Sequence, residues 1–180
     1  STEDIRVIAP AVLRHRIILN FDAHADGLTP EHVLTEIIRS AVSAALLERT
    51  VKVPYELRPG ICDTGIVQAN SVTHDDDATT AAAATFYAAF DATVAEEAAA
   101  LRDARPDVIV CDASPLGLAV AAALGVPSLF IGNFTWDWVY ADYPRVRLAP
   151  SLLPAIRGAH AKASMALRLP MSGGFESFSN

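Results

Sequence analysis

Asp112 and Ser114 place a carboxylate and a hydroxyl directly after the apolar run Val108-Ile109-Val110-Cys111, and Pro115 follows them. That pair can meet sugar hydroxyls or a phosphate, or it can do no more than cap the helix that Pro115 begins. Asn133, Thr135, Trp136, Asp137 and Tyr140 form a second polar and aromatic group. An aromatic face suits the C–H surface of a sugar ring, yet Trp136 and Trp138 serve equally well as core anchors, so one is expected in the core and one at the lip. Asp63 and Thr64, within Cys62-Asp63-Thr64-Gly65, are either ligand contacts or the residues of a turn. No Ser/His/Asp order or paired-carboxylate spacing marks a catalytic set, and His24, His74 and His160 stand isolated. Asp75-Asp76-Asp77 favours a helix start through the macrodipole over a metal site. Cys62 and Cys111 have no CxxC or zinc spacing and read as small buried hydrophobes.

These residues need a scaffold, and Arg105 to Tyr143 describes one. Val108–Cys111 reads as a strand buried on both faces, and Ser114-Pro115 as the start of an alanine-rich helix. Gly125 stops that helix in a left-handed cap, and Ser128–Gly132 reads as a second buried strand. A crossover this short makes the two strands adjacent and parallel. Asp112 and Asn133 then open on one edge of the sheet, the edge where open α/β proteins bind ligands.

Elsewhere the pattern is less compact. Thr29-Pro30-Glu31 is a helix start, and Val33, Leu34, Ile37, Ile38, Ala41 and Val42 recur at helical spacing, so residues 1–47 read as a small helical unit. From residue 48 the pattern becomes α/β. A strand is expected over Val51–Leu57, a long helix over Ala78–Arg105 and a further helix over Ser151–Leu167.

The chain has 180 residues, 52% hydrophobic and 19% charged, with a net charge of −7 and no basic cluster. Nucleic acid and anionic membranes, which are held chiefly through Lys and Arg, are therefore not expected partners. No apolar run reaches the length of a membrane span and the N-terminus has no signal pattern, which points to the cytoplasm.

Two resemblances extend this reading. The segment STEDIRVIAPAVLRHRIILNFDAHADGLTPEHVLTEIIRSAV resembles the C-terminal part of the lid of MoxR-type AAA+ ATPases. It implies an interaction module as an alternative function, without ATP hydrolysis, because the chain has no G-x-x-x-x-G-K-[ST] loop. The motifs CDTGIVQ, DVIVCDASPLG, NFTWDWVY and LRLPMSGGFESF, in that order, resemble glycosyltransferase-like proteins of the GT-B type. They are also similar to the glycosyltransferase-like region of plant L-arabinokinases.

The second resemblance implies an α/β fold with a partial Rossmann-like parallel sheet, half of a GT-B architecture, over residues 48–180. It implies a sugar or sugar-nucleotide ligand at Asp112, Ser114, Asn133, Thr135, Trp136, Asp137, Asp63 and Thr64. A nucleotide sugar would be donor substrate, with no resident cofactor and no metal. The S-G-H-G-x-G-H-type opening turn of such proteins has no counterpart here, and the donor-binding half that follows in them is expected from a second chain or domain. The expectations that follow are no glycosyl transfer by this chain alone, and an incompletely covered sheet edge at which copies associate.

Overall fold

A computed structural model describes residues 37–40, 44–50 and 55–179. The chain divides into two compact units that meet between Ile61 and Cys62. In the first, strand β1 (Ile37–Ser40), helix α1 (Ala44–Thr50) and strand β2 (Glu56–Pro59) follow one another, and β1 and β2 pair in parallel from Ile37 opposite Glu56 to Ser40 opposite Pro59. A helix was expected through Ile37 and Ile38, and this is a correction. Two consecutive β-branched residues suit a strand once a parallel partner supplies the ladder that local spacing cannot reveal. The remainder of the lid-like segment, residues 1–36, lies outside the described residues.

The second unit is a mixed α/β body that carries the candidate site. A short antiparallel pair, β3 (Gln68–Asn70) and β4 (Thr73–His74), leads into helix α2 (Asp76–Ala88). Asp75 caps α2, its carboxylate accepting from the Ala78 N–H at 2.8 Å, as the acidic run leads one to expect. The long helix expected over 78–105 is instead two. Ala89, at φ −97° and ψ 5°, breaks it, and helix α3 runs from Phe90 to Leu101. Phe86, Tyr87 and Phe90 gather around the break, with Tyr87 lying 5.2 Å from Phe86 and 5.1 Å from Phe90 between ring centres.

Strand β5 (Ile109–Asp112), helix α4 (Pro115–Leu124) and strand β6 (Ser128–Gly132) form the anticipated strand–helix–strand unit. The two strands are adjacent and parallel, from Ile109 opposite Ser128 to Asp112 opposite Ile131. Gly125 closes α4 at φ 72°, and Pro115 stands in its first turn. Helix α5 (Trp136–Ala141), a 3₁₀ turn (Pro144–Leu148) and helix α6 (Leu152–His160) lead to strand β7 (Met165–Arg168). β7 occupies the end of the expected 151–167 helix, and this too is a correction. It pairs in parallel with the other side of β6, Leu129 opposite Met165, and Ser128 and Ser164 tie the strand starts by exchanging backbone N–H and side-chain oxygen bonds at 3.1 and 3.2 Å. The sheet order β5-β6-β7 and the helices around it make a partial Rossmann-like arrangement.

Burial follows position in that sheet. Central β6 is mostly buried, with Phe130 fully enclosed. β5 is not buried on both faces as its apolar run suggests. It has one ladder partner among the described residues, and Val108 and Val110 are 36% and 43% exposed. One cluster joins Tyr87, Phe90, Leu116, Trp136, Tyr140 and Ile156 among the helices, and a second joins Cys111, Leu118, Phe130 and Phe175 at the sheet.

Candidate functional site

The parallel sense of β5, β6 and β7 brings Asp112, Asn133 and the segment after Arg168 to one edge of the sheet. Asp112 is exposed there. Ala113 beside it is in the left-handed region at φ 53° and donates its N–H to Ile131 O at 3.0 Å, which turns the chain sharply into α4. Ser114 starts α4, but its hydroxyl does not cap the helix. It donates instead to Cys62 O at 2.9 Å, and so draws the Cys62–Gly65 loop against the edge.

That loop is held at several further points. Gly65 adopts φ 62°, and Tyr140 of α5 donates its hydroxyl to Gly65 O at 3.0 Å while lying 3.1 Å from Thr64 Oγ1. Val67 N–H donates to Thr79 Oγ1 of α2 at 3.0 Å. Thr64 is thus spent on positioning, and Asp63 is the carboxyl that the tethered loop presents. Burial raises the pKa of Asp63 above the usual carboxylate range; the Gly65 N–H and the Trp136 indole N–H oppose that rise, and the charge of Asp112 adds to it.

Trp136 is the core tryptophan. It is 8% exposed, stacks on Tyr140 with ring centres 5.2 Å apart and meets Phe134 edge-on at 4.9 Å. Its indole nitrogen is buried without an acceptor in hydrogen-bonding geometry, so its effect on Asp63 acts at longer range than a formed bond. Trp138 is the exposed one, at 49%; a β-carbon at Gly173 would collide with its ring, and one at Gly174 with Thr135 Oγ1 and Trp138 Cβ. Asn133 is half-buried, its backbone carbonyl accepting from Gly173 N–H at 2.9 Å. Asp112, Asp63 and Asn133 therefore stand at the edge, whereas Trp136, Thr135 and Asp137 are packed beneath it.

Asp137 belongs to a network that spacing does not reveal. It is 4% exposed, and its carboxylate accepts from Arg157 Nε at 3.0 Å, lies 3.4 Å from His160 Nδ1 and accepts from Ser177 Oγ at 3.4 Å. Burial alone would raise its pKa, but the neighbouring donors His160, Thr135 and Arg157, with the charge of His160, hold it well below the usual range. Thr135 Oγ1 exerts this influence without reaching hydrogen-bonding geometry. His160, expected to stand isolated, is fully buried with Ser177 Oγ 2.8 Å from Nδ1. The trio Asp137, His160 and Ser177 is not a nucleophile set, because Ser177 and Asp137 both face the same ring nitrogen and the other nitrogen is sealed in the core. It fastens the segment after β7 to α5 and α6. The i, i+3 spacing of Arg157 and His160 on α6 was the available signal, since such a pair shares one helix face.

Cys111 is buried and its thiol is pushed up to about 12 by burial, with Cys62 adding to the shift. It is an inert core residue. No group of three or more metal-ligating side chains occurs among the described residues, and no helix there is long and apolar enough to cross a membrane.

The second unit is thus a mixed α/β body in which the ends of parallel strands gather at one edge. No family model matches the chain, and no solved structure matches it. The chain is similar to L-arabinokinase of Arabidopsis thaliana, with 29% identity over 133 residues, or 73% of this chain. The match spans 12% of the length of that relative.

Proposed function

We propose that the edge formed by the ends of β5 and β6 binds a sugar or sugar nucleotide, in the manner of a glycosyltransferase-like domain. The observation that carries this reading is the Cys62–Gly65 loop, tethered through Ser114, Tyr140 and Thr64, which holds half-buried Asp63 at the strand ends, where the charge of Asp112 bears on it. Holding a carboxyl half-buried, with its charged form disfavoured, opposes folding, and such groups concentrate at sites of function. Similarity to part of an L-arabinokinase supports a sugar as the ligand.

Chemical-shift mapping of the full chain with a panel of sugars and nucleotide sugars tests the reading. The expected result is perturbation of residues 62–65, 112–114 and 133. A few hydrogen bonds of ~0.5–1.5 kcal/mol each set the affinity nearer millimolar than micromolar. Shifts confined to residues remote from this edge would overturn it.

A further inference from the structure

We infer that a hollow beside the end of β7 is a second ligand site, which takes a small carboxylate on a flat apolar body, with Arg168 holding the carboxylate. The hollow measures about 330 Å³ and is lined by Ala166, Arg168, Phe175, Phe178 and Ser179. It is separate from the edge proposed to bind a sugar and does not rest on that reading. Ala166 stands opposite Phe130 and Arg168 opposite Gly132, whereas Asp112 lies in the alternate row with Ile131 and Leu167. Successive rows of a sheet point to opposite faces, so Arg168 and Asp112 serve different sides.

Arg168 is set up for an anion. It is exposed, its guanidinium carbon lies over the Phe175 ring at 4.8 Å from the centroid, and among the described residues the guanidinium has no ion-pair partner. Glu176, next to Phe175 in the chain, is exposed and makes no ion pair with it. A guanidinium resting on a ring keeps its N–H donors available, and two of them match the two oxygens of a carboxylate. The ring beneath is fixed against local preference. Phe175 adopts φ 83°, which residues with a side chain rarely do, yet it is buried, 5.7 Å from Phe130 and 5.5 Å from Phe178 between ring centres. Ser177, with its hydroxyl 2.8 Å from His160 Nδ1, fastens this stretch, and Phe178 N–H donates to Phe175 O at 3.2 Å. Backbone strain that the surroundings hold in place collects at ligand clamps.

Charge and shape select the ligand class. Among the described residues, Arg168 is the one charged side chain lining the hollow. One guanidinium neutralises a carboxylate, but it leaves a phosphate dianion with uncompensated charge on a chain whose net charge is −7. Ala166 and Phe178 offer an apolar wall to the body of the ligand, and a flat ring suits the aromatic side chains.

The test is a titration of the full chain at neutral pH, followed by amide shifts, with benzoate, acetate, benzyl alcohol and phenyl phosphate. Benzoate should perturb residues 166–168 and 175–179 and leave 62–65 and 112 unmoved. Acetate and benzyl alcohol, which each carry half of the recognised chemistry, should bind more weakly than benzoate, and phenyl phosphate should bind no more tightly than it. Benzoate binding should weaken as salt rises. Arg168→Gln should lower benzoate affinity about tenfold, as loss of charge-assisted hydrogen bonds implies, and Arg168→Lys should recover part of it, since the charge returns without the planar fork. Should Arg168→Gln not fold, the comparison of benzoate with benzyl alcohol on the unaltered chain carries the same decision. Tighter binding of phenyl phosphate would overturn the choice of a carboxylate, and equal binding of benzyl alcohol, or unchanged affinity in Arg168→Gln, would overturn the role of Arg168. No perturbation of residues 166–179 by benzoate would overturn the site, and it would leave the sugar-binding reading untouched because Asp112 faces the other side.

Discussion

Asp63 and Asp137 show how one residue type takes opposite roles within one unit. Asp137 is buried but surrounded by donors, and its carboxylate is stabilised relative to water. Asp63 is less enclosed, has two N–H groups near it and faces another carboxyl, and its charged form is disfavoured. The folded state therefore holds the Asp63 proton more tightly than the unfolded chain does, and the resulting contribution to stability is fully present below the unfolded pKa of about 3.9 and lost as pH rises through the folded value. Asp63→Asn should accordingly leave the melting temperature little changed near pH 3 and raise it at pH 7. Thermal melts of the two proteins across that range check this, and a lower melting temperature for the variant at pH 7 would show that the carboxylate supports the fold instead.

At the scale of elements, the seating of α4 on β5 depends on a missing side chain. A β-carbon at Gly117 would stand 2.5 Å from Cys111 Sγ, in a helix whose Leu116, Leu118 and Val120 are already buried. Alanine favours a helix over glycine by ~1 kcal/mol, but overpacking a core contact costs about 1–3 kcal/mol. Gly117→Ala should therefore be destabilising despite the better helix former, as read from urea midpoints at unchanged slope. A Gly117→Ala, Cys111→Ala double variant should recover part of the loss, since it empties the space that the methyl group invades.

Across the whole molecule, both hydrophobic clusters draw their residues from Cys62–Asn180. A fragment of those residues contains both clusters and should unfold in one cooperative transition, with dispersed amide resonances. A broad, non-cooperative melt by circular dichroism would show that the first unit is needed for this core to form. If the fragment folds, the mapped sugar shifts should persist in it, because Asp63, Asp112 and Asn133 all lie within it.

Local chemistry in the sequence determined several of these features. Apolar runs with Pro115 and Gly125 at the helix ends defined the β5–α4–β6 unit, and Asp75 defined the start of α2, because caps, left-handed turns and short crossovers are set by neighbouring residues. Asp112 and Asn133 were legible at the sheet edge for the same reason. The tertiary structure alone decided what depends on distant partners. Ile37–Ser40 and Met165–Arg168 became strands because parallel ladders were available to them. The helix expected after Asp77 broke at Ala89, a residue whose helix propensity gives no sign of a break. Trp136 and Trp138 took opposite roles because core packing, and not composition, selects which ring is enclosed. Thr64, Ser114, Tyr140 and His160 acquired their roles from hydrogen-bond partners between 17 and 76 residues away, where local spacing carries no signal.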